Sequence, residues 1–297
     1  MIFDRALTTP KSESDCLSLF LPVADYQIRI AHATYNLIKK LPGGNTHVAF
    51  TRILHRTARD KDVLASEIDT FRADPLQPEC DDWCEYPVSD RANAMMQFLK
   101  ASHSNRNMIK GHWIYMIESD YVFMKPLEIP STRGAESQAW GFPFSYIVPS
   151  KFPEHMHTLN PDISPDEIPG TGPAPLLMTV DLWEKVTPDW EAMTAKIENN
   201  NAIKESLGWV REMYAFSVAL SMNNVKVDLT PAPKNRFIVQ LPIDTGLGKA
   251  HAFHYTQVRK CILSWIRFFK FHVDPSHLDL TFYYNHVQCT IQYCEIR

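Results

Sequence analysis

Two acidic residues, Glu118 and Asp120, follow a short apolar stretch and are the residues best suited to chemistry in this sequence. The stretch, residues 113–117, is aromatic and β-branched, which predicts a strand buried on both faces of a sheet. Two residues apart in an extended chain, the carboxylates point to the same side. A hard divalent cation bound between them would relieve their repulsion. An ordinary acidic strand-to-loop turn explains the same residues equally well.

Glu212 is a third carboxylate in an apolar setting. It lies three residues after Trp209 and four before Phe216, on the apolar face of a predicted helix. A carboxylate on that face is costly unless it is paired, hydrogen-bonded or used. The sequence leaves two interpretations open. One is a salt bridge with a neighbour such as Arg52 or Arg236, and the other is a role at a bound sugar.

Three further features complete the candidate site. His254 lies in an aromatic strand and could be a third ligand of a Mn²⁺-like ion, although such a histidine is more often a hydrogen-bonded core residue. Gln240 and Asp244 flank a rigid proline, as in a loop that positions a substrate. Residues 169–175, which include Gly172, form a proline- and glycine-rich loop without the lysine and following helix of a phosphate-binding loop. This loop is therefore predicted to be a wall of a pocket.

The elements that must position these residues alternate between strands and helices. A strand at 16–22, a helix at 25–40 and a strand at 47–55 predict a βαβ unit, and so a parallel sheet. Asp90 and Ser206 are predicted to cap two later helices. Further elements are a helix interrupted at Pro188 within 181–199, and strands around Phe71 and at 139–147, 175–180, 225–229, 236–240 and 251–255. The prediction is an α/β fold, a mixed sheet flanked by helices in a single domain.

The composition excludes several classes of partner. With 297 residues, of which 45% are hydrophobic and 22% charged, the chain can bury a full core. Its net charge of −4 does not indicate the basic surface that is typical of nucleic-acid-binding proteins. No apolar run approaches the roughly 20 residues of a membrane span, and the first residues lack the apolar core of a signal peptide. We therefore expect no nucleic-acid partner and no membrane span in this chain.

Five segments, in order along the chain, resemble one family. They are Phe-Thr-Arg-Ile-Leu at 50–54, Glu-Ser-Asp-Tyr-Val-Phe at 118–123, Phe-Pro-Phe-Ser-Tyr-Ile at 142–147, Gly-Trp-Val-Arg-Glu-Met-Tyr at 208–214 and His-Tyr-Thr at 254–256. Together they resemble the peptidyl hydroxyproline O-arabinosyltransferases of plants and algae, and the related peptidyl-serine galactosyltransferases. The likeness covers residues 15–260. It leaves 1–14 as an N-terminal extension and 261–297 as a divergent, aromatic-rich tail.

This resemblance implies a GT-A-type glycosyltransferase, which has a Rossmann-like domain and uses a UDP-sugar, commonly with Mn²⁺ or Mg²⁺. Such an enzyme would move arabinose or galactose, with retention of configuration, to a hydroxyproline or serine hydroxyl of a protein or peptide. Glu118 and Asp120 match the family's Glu-x-Asp metal motif, and His254 would be a C-terminal metal or diphosphate ligand. Glu212 would lie near the anomeric carbon, as a nucleophile or as a stabiliser of a cationic sugar. The other residues expected at the donor are Arg52, Gly172, Trp209, Gln240 and Asp244, with Arg211 as a further candidate for the diphosphate.

The chain departs from the family pattern at Ser119 and Tyr121, in the loop at 173–175 and at Ile243. Two alternatives therefore stay open. One is a degenerate module that binds a sugar nucleotide or a protein without turnover, and the other is a phosphoesterase, which would need a second metal site. The resemblance implies the Golgi lumen, but the family's N-terminal anchor is not found here. A complete chain of this form would be expected in the cytoplasm.

Overall fold

The computed structural model describes residues 2–4, 17–55, 62–78, 85–130, 137–240, 244 and 246–255, with side chains from residue 25 onwards. These residues belong to one compact unit, Met1–Tyr255. The predicted tail at 261–297 lies outside the described residues.

Strands and helices alternate through this unit, as the α/β prediction requires. The strands are β1 (Ile2–Asp4), β2 (Arg52–Leu54), β3 (Thr70–Arg72), β4 (Trp113–Glu118), β5 (Tyr121–Phe123), β6 (Gln138–Gly141), β7 (Leu176–Thr179), β8 (Lys226–Asp228), β9 (Ile238–Gln240) and β10 (Ala252–His254). The helices are α1 (Leu17–Ile38), α2 (Asp90–Ser104), α3 (Pro153–Leu159), α4 (Val180–Glu198), α5 (Asn201–Leu207) and α6 (Arg211–Met222).

The larger sheet has the strand order β3-β2-β1-β4-β7-β6-β8. Its first four strands in this order are parallel, whereas β7 runs antiparallel to both β4 and β6. The order 3-2-1-4 is that of doubly wound nucleotide-binding sheets, in which ligands bind beyond the carboxyl ends of the strands. The end of β4, where the acidic residues lie, is therefore the place at which a ligand is expected.

A smaller sheet with the order β5-β10-β9 continues directly from this edge. Only Ser119 and Asp120 separate β4 from β5. Strand β10 pairs antiparallel with β5 and parallel with β9, and this register places His254 opposite both Tyr121 and Gln240. The last strand of the described unit thus returns to the turn that follows β4.

The helices cover the sheets with apolar faces. In α1 the predicted stripe of Ile28, Ala31, Tyr35 and Ile38 is buried, and the helix packs on β1 and β5. Helix α4 packs on α2 and α6. It runs without interruption through Pro188, because Trp183 and Trp190 on its inner face are fully buried against Phe216 of α6. Within the described segments, no helix combines the length and the apolar character that crossing a membrane requires.

The first predicted strand, at 16–22, is wrong. Leu17 begins helix α1, and the strand that starts the βαβ unit is Ile2–Asp4, in the segment predicted as an extension. The error has a physical reason, since a short apolar run fits a buried strand and a buried helix equally well. The βαβ unit itself is confirmed, because β1 and β2 are parallel neighbours joined through α1.

Both predicted helix caps are also wrong. Asp90 is the first residue of α2, and its carboxylate accepts hydrogen bonds from the N–H groups of Leu76 and Gln77 in the preceding loop. Ser206 lies inside α5, and α6 begins later, at Arg211, after a 3₁₀ turn. In each case a polar residue near a helix start has a partner or a position that the local pattern does not reveal.

Candidate active site

Asp120 and His254 meet beyond the end of β4. Asp120 lies in the turn between β4 and β5, and the N–H of Tyr255 donates to its backbone carbonyl. The Oδ1 atom of Asp120 is 3.2 Å from Nε2 of His254, and both side chains are mostly buried. The pairing of β5 with β10 brings together two residues that are far apart in the sequence.

The imidazole of His254 fits a metal ligand. Within the described residues neither of its ring nitrogens has a hydrogen-bond partner, although both are buried. Nε2 is close to the Asp120 carboxylate but does not have the geometry of a hydrogen bond to it. A carboxylate oxygen and an imidazole nitrogen at this separation suit one shared divalent cation of the Mn²⁺ kind. Asp120 and His254 therefore form a pair that could hold a divalent cation.

Glu118 faces a buried cation, Arg91. Nη1 of Arg91 lies 3.0 Å from Oε1 of Glu118, and Nη2 donates to Oε2 at 3.2 Å. The same Nη1 lies 3.7 Å from Oε1 of Glu212, which is only 2% exposed. Burial opposes the charge of Arg91, but the two carboxylates outweigh burial and raise the pKa of its guanidinium. The guanidinium therefore stays protonated between the two carboxylates.

This arrangement changes the expected ligand set. Because Glu118 is paired with Arg91, it does not converge with Asp120 and His254, and in the described parts of the chain no three acidic, histidine or cysteine residues form a metal-binding group. The salt bridge considered for Glu212 is present, but its partner is Arg91 and not Arg52 or Arg236.

Sequence analysis missed Arg91, although the sequence carries a signal for it. Arg91 lies four residues before Met95 and seven before Phe98, which places it on the buried face of α2. A cation on an apolar helix face requires an acidic partner, just as the carboxylate of Glu212 does.

Tyr86, also missed, fixes the start of α6. Its hydroxyl accepts a hydrogen bond from the N–H of Glu212 at 3.2 Å and donates one to the carbonyl of Trp209 at 2.9 Å. Burial, with the charge of Glu212 as a smaller cause, raises the pKa of this phenol. The guanidinium of Arg211 lies over the ring at 3.4 Å from its centroid. These contacts hold Trp209 and Glu212 in a fixed relation.

The two arginines proposed for the diphosphate need correction. Arg52 is 1% exposed, and Nη2 of its guanidinium binds the carboxylate of Asp62 at 2.5 Å. Its Nε donates to Thr70 at 3.1 Å. Arg211 is also buried, and its Nε lies 2.5 Å from a carboxylate oxygen of Glu198. Both guanidiniums serve the fold, because nearby carboxylates take the positions that phosphate oxygens would need.

Gln240 and Asp244 form a tight turn beside His254. The N–H of Gln240 donates to the Asp244 carboxylate at 2.9 Å, and the N–H of Asp244 donates to the Gln240 carbonyl at 3.0 Å. Gln240 is the register partner of His254 in the smaller sheet. These two predicted donor residues are therefore near the site, whereas residues 241–243 between them lie outside the described part of the chain.

Gly172 packs the pocket loop on α6. A Cβ atom at this position would lie 2.5 Å from Cε and 3.1 Å from Cγ of Met213. The loop is also tied to α6 by the Ser217 hydroxyl, which donates to the carbonyl of Thr171 at 2.9 Å. Gly172 therefore allows the loop to pack closely against Met213, the residue next to Glu212.

Replacing Gly172 by valine should therefore lower the free energy of unfolding by about 1–3 kcal/mol, because the added carbons overpack the contact with Met213. Urea unfolding measures this change. A second substitution, Met213→Ala, should recover part of the loss. Gly246→Val is the matched control, since nothing lies within 4 Å of a Cβ there. Equal effects at both glycines would contradict this interpretation.

The fold and the site together indicate the class of protein. The chain is a mixed α/β protein whose central strand β4 ends next to two groups, the cluster of Arg91, Glu118 and Glu212 and the pair of Asp120 and His254. The family model described as "Hydroxyproline O-arabinosyltransferase family N-terminal domain" matches residues 21–229. The chain belongs to this family, and the resemblance drawn from the five segments is confirmed.

Individual relatives show the same relationship. The chain is 31% identical over 261 residues to the hydroxyproline O-arabinosyltransferase PLENTY of Lotus japonicus, covering 86% of this chain and 68% of that protein. It is 32% identical over 237 residues to hydroxyproline O-arabinosyltransferase 3 of Arabidopsis thaliana, covering 79% of this chain and 62% of that protein. The chain thus spans about two thirds of the length of these relatives. Among solved structures, apo mouse xyloside xylosyltransferase 1 matches with a TM-score of 0.38 and 11% identity, covering 78% of this chain and 92% of that one.

Proposed function

We propose that this protein is a glycosyltransferase that moves a sugar from a UDP-sugar to the hydroxyl of a hydroxyproline in a peptide or protein. The observation that carries the proposal is the Asp120–His254 pair, which lies beyond β4 and beside the cluster of Arg91, Glu118 and Glu212. The strand order 3-2-1-4 and membership of the family support a GT-A-type domain. Arabinose is the first candidate sugar and galactose the second, with serine as the alternative acceptor and the Golgi lumen as the proposed location.

The metal would be held by Asp120 and His254. Glu118 is left out of this revised ligand set, because both of its oxygens are paired with Arg91. A bound Mn²⁺ or Mg²⁺ would neutralise the negative charge that develops on the departing UDP. Its other ligands would be oxygen atoms of the donor, since hard cations prefer oxygen.

In the proposed transfer, the hydroxyproline oxygen forms a bond to the anomeric carbon, and the bond from that carbon to the diphosphate oxygen breaks. UDP leaves with the bonding electrons, and the proton of the hydroxyl passes to an oxygen of the leaving diphosphate. Arg91 places a cation 3.7 Å from the Glu212 carboxylate. Glu212 would stabilise positive charge on the sugar, or attack it to form a covalent intermediate.

A donor and acceptor screen tests this function directly. UDP release should be measured with UDP-arabinose and UDP-galactose, with and without Mn²⁺, in the presence of a hydroxyproline peptide or its serine counterpart. The proposal expects release that requires both the metal and the hydroxyproline peptide. Tight UDP binding without release under any condition would support the degenerate module instead. A two-metal phosphoesterase would need a second metal site, and the described residues contain no group of three or more His, Cys, Asp or Glu that could hold a metal ion.

Asp120→Asn should weaken Mn²⁺-dependent UDP binding at least about tenfold while leaving the melting temperature nearly unchanged. The amide keeps the size of the side chain, and the backbone carbonyl still accepts from Tyr255. Calorimetric titration of UDP with and without Mn²⁺ measures the effect, with Asp166→Asn as an exposed control. A lower melting temperature with unchanged UDP affinity would assign Asp120 to the fold.

A further inference from the structure

Two aromatic rings lie exposed beside the site. Trp209 is 51% exposed and Tyr146 is 48% exposed, whereas most large aromatic side chains of the described unit are buried. Trp209 lies three residues before Glu212. Tyr146 is hydrogen-bonded through its backbone carbonyl to Tyr214, two residues after Glu212 in α6. Both exposed residues are thus connected to the start of α6, where Glu212 lies.

Each ring is held in place by a buried tyrosine. Tyr86 donates to the carbonyl of Trp209 and packs against its indole edge-to-face, with ring centroids 5.2 Å apart. Tyr214 donates to the carbonyl of Tyr146 at 3.3 Å and accepts from the N–H of Val148 at 3.1 Å. The two arrangements are alike, since in both a buried phenol fixes the backbone of an exposed aromatic residue.

Both buried tyrosines, Tyr86 and Tyr214, are connected to α6. Tyr214 lies within that helix, and Tyr86 accepts from the N–H of Glu212 at its start. The backbones of Trp209 and Tyr146 are therefore held relative to α6, the indole of Trp209 packs on Tyr86, and the ring of Tyr146 packs on Phe144 at 5.3 Å between centroids. Rigid aromatic side chains that are already oriented bind a partner with little loss of side-chain entropy.

We propose that Trp209 and Tyr146 are platforms for the prolyl rings of the acceptor, so that the substrate is an extended polyproline II peptide. This inference rests on the proposed function, because it concerns the acceptor of that reaction. A polyproline II helix repeats every three residues, has no internal hydrogen bonds and docks on exposed aromatic side chains. The hydroxyl of Tyr146 can donate to the peptide's backbone carbonyls, which point outwards in this conformation.

The competing occupant of Trp209 is the uracil base of the donor, as expected for a donor-site residue. The two assignments predict opposite effects of Trp209→Ala. A platform for prolyl rings affects peptide binding and leaves UDP binding unchanged, whereas a base-stacking residue affects UDP binding first. Calorimetric titration separates them without turnover, using the full chain with Mn²⁺.

The probes are UDP, a ten-residue oligo-hydroxyproline peptide and a glycine-serine peptide of equal length. We expect the full chain to prefer the oligo-hydroxyproline peptide, and Trp209→Ala and Tyr146→Ala each to weaken its binding about tenfold. Trp209→Phe and Tyr146→Phe keep the rings and should stay within about threefold of the parent chain. Leu41→Ala, at a side chain 45% exposed at the end of α1, is the control for general loss of apolar surface.

The platform proposal is overturned if Trp209→Ala weakens UDP binding and spares the peptide, if neither alanine variant affects the peptide, or if the two peptides bind equally. Failure of the proposed function gives a different result. A chain that prefers oligo-hydroxyproline through both rings, yet releases no UDP from any donor, supports the platform and contradicts the transferase.

Discussion

Arg91→Met is expected to lower the free energy of unfolding by about 3–5 kcal/mol and to abolish turnover. The guanidinium is 4% exposed and is the charge that compensates Glu118 and the buried Glu212. Methionine keeps apolar volume but leaves two neighbouring carboxylates without their shared cation. Urea unfolding measures the loss.

Two comparisons make this prediction specific to the buried cluster. Arg29→Met breaks an exposed ion pair with Glu67, in which both side chains are more than 40% exposed, and should change stability only slightly. The double variant Arg91→Met/Glu212→Gln removes one of the two carboxylate charges that Arg91 compensated, and it should be more stable than Arg91→Met alone. If the two arginine variants lose equal stability, or if the second substitution brings no recovery, Arg91 does not hold the carboxylates as described.

Local pattern was enough to predict most of the fold. The stripe of α1 repeats at helical spacing, and the apolar runs of β4 and β7 suit strands buried in a sheet. These features depend on residues that are close in sequence. The strand at Ile2–Asp4 could not be found in this way, since three residues carry no periodicity, and its place between β2 and β4 is decided by tertiary pairing.

The site was harder to predict because its pairs are distant in the chain. Asp120 meets His254 only through the register of β5 with β10, which the positions of the two residues along the chain do not reveal. Arg52 was assigned to a diphosphate because an arginine in a strand looks the same whether its partner is a phosphate or Asp62. Arg91 was overlooked although its spacing to Met95 and Phe98 places it on the buried face of α2, because an arginine in a helix is usually exposed. Sequence thus identifies which side chains need partners, and only the fold decides which partners they receive.

Glu212→Gln is expected to reduce turnover at least about a hundredfold while leaving folding and UDP affinity nearly intact. The amide has almost the same shape, and Arg91 keeps its closer contact to Glu118 at 3.0 Å. The negative charge near the anomeric carbon is lost, and with it the proposed stabilisation of the cationic sugar. The measurements are kcat at saturating donor and acceptor, Kd for UDP with Mn²⁺, and the melting temperature. Glu205→Gln, an exposed carboxylate on α5, is the matched control and should leave all three unchanged.

Glu212→Asp then separates the two roles that the carboxylate could have. A nucleophile must touch the anomeric carbon, so shortening the side chain by one methylene should cost nearly as much turnover as the amide does. A carboxylate that acts through its charge alone should retain much of the activity in Glu212→Asp, since Coulomb attraction falls slowly with distance. Near-normal turnover of Glu212→Gln would remove Glu212 from the reaction and leave it as a structural partner of Arg91. That outcome would move the search for the catalytic carboxylate to Glu118, the other acidic group that Arg91 binds.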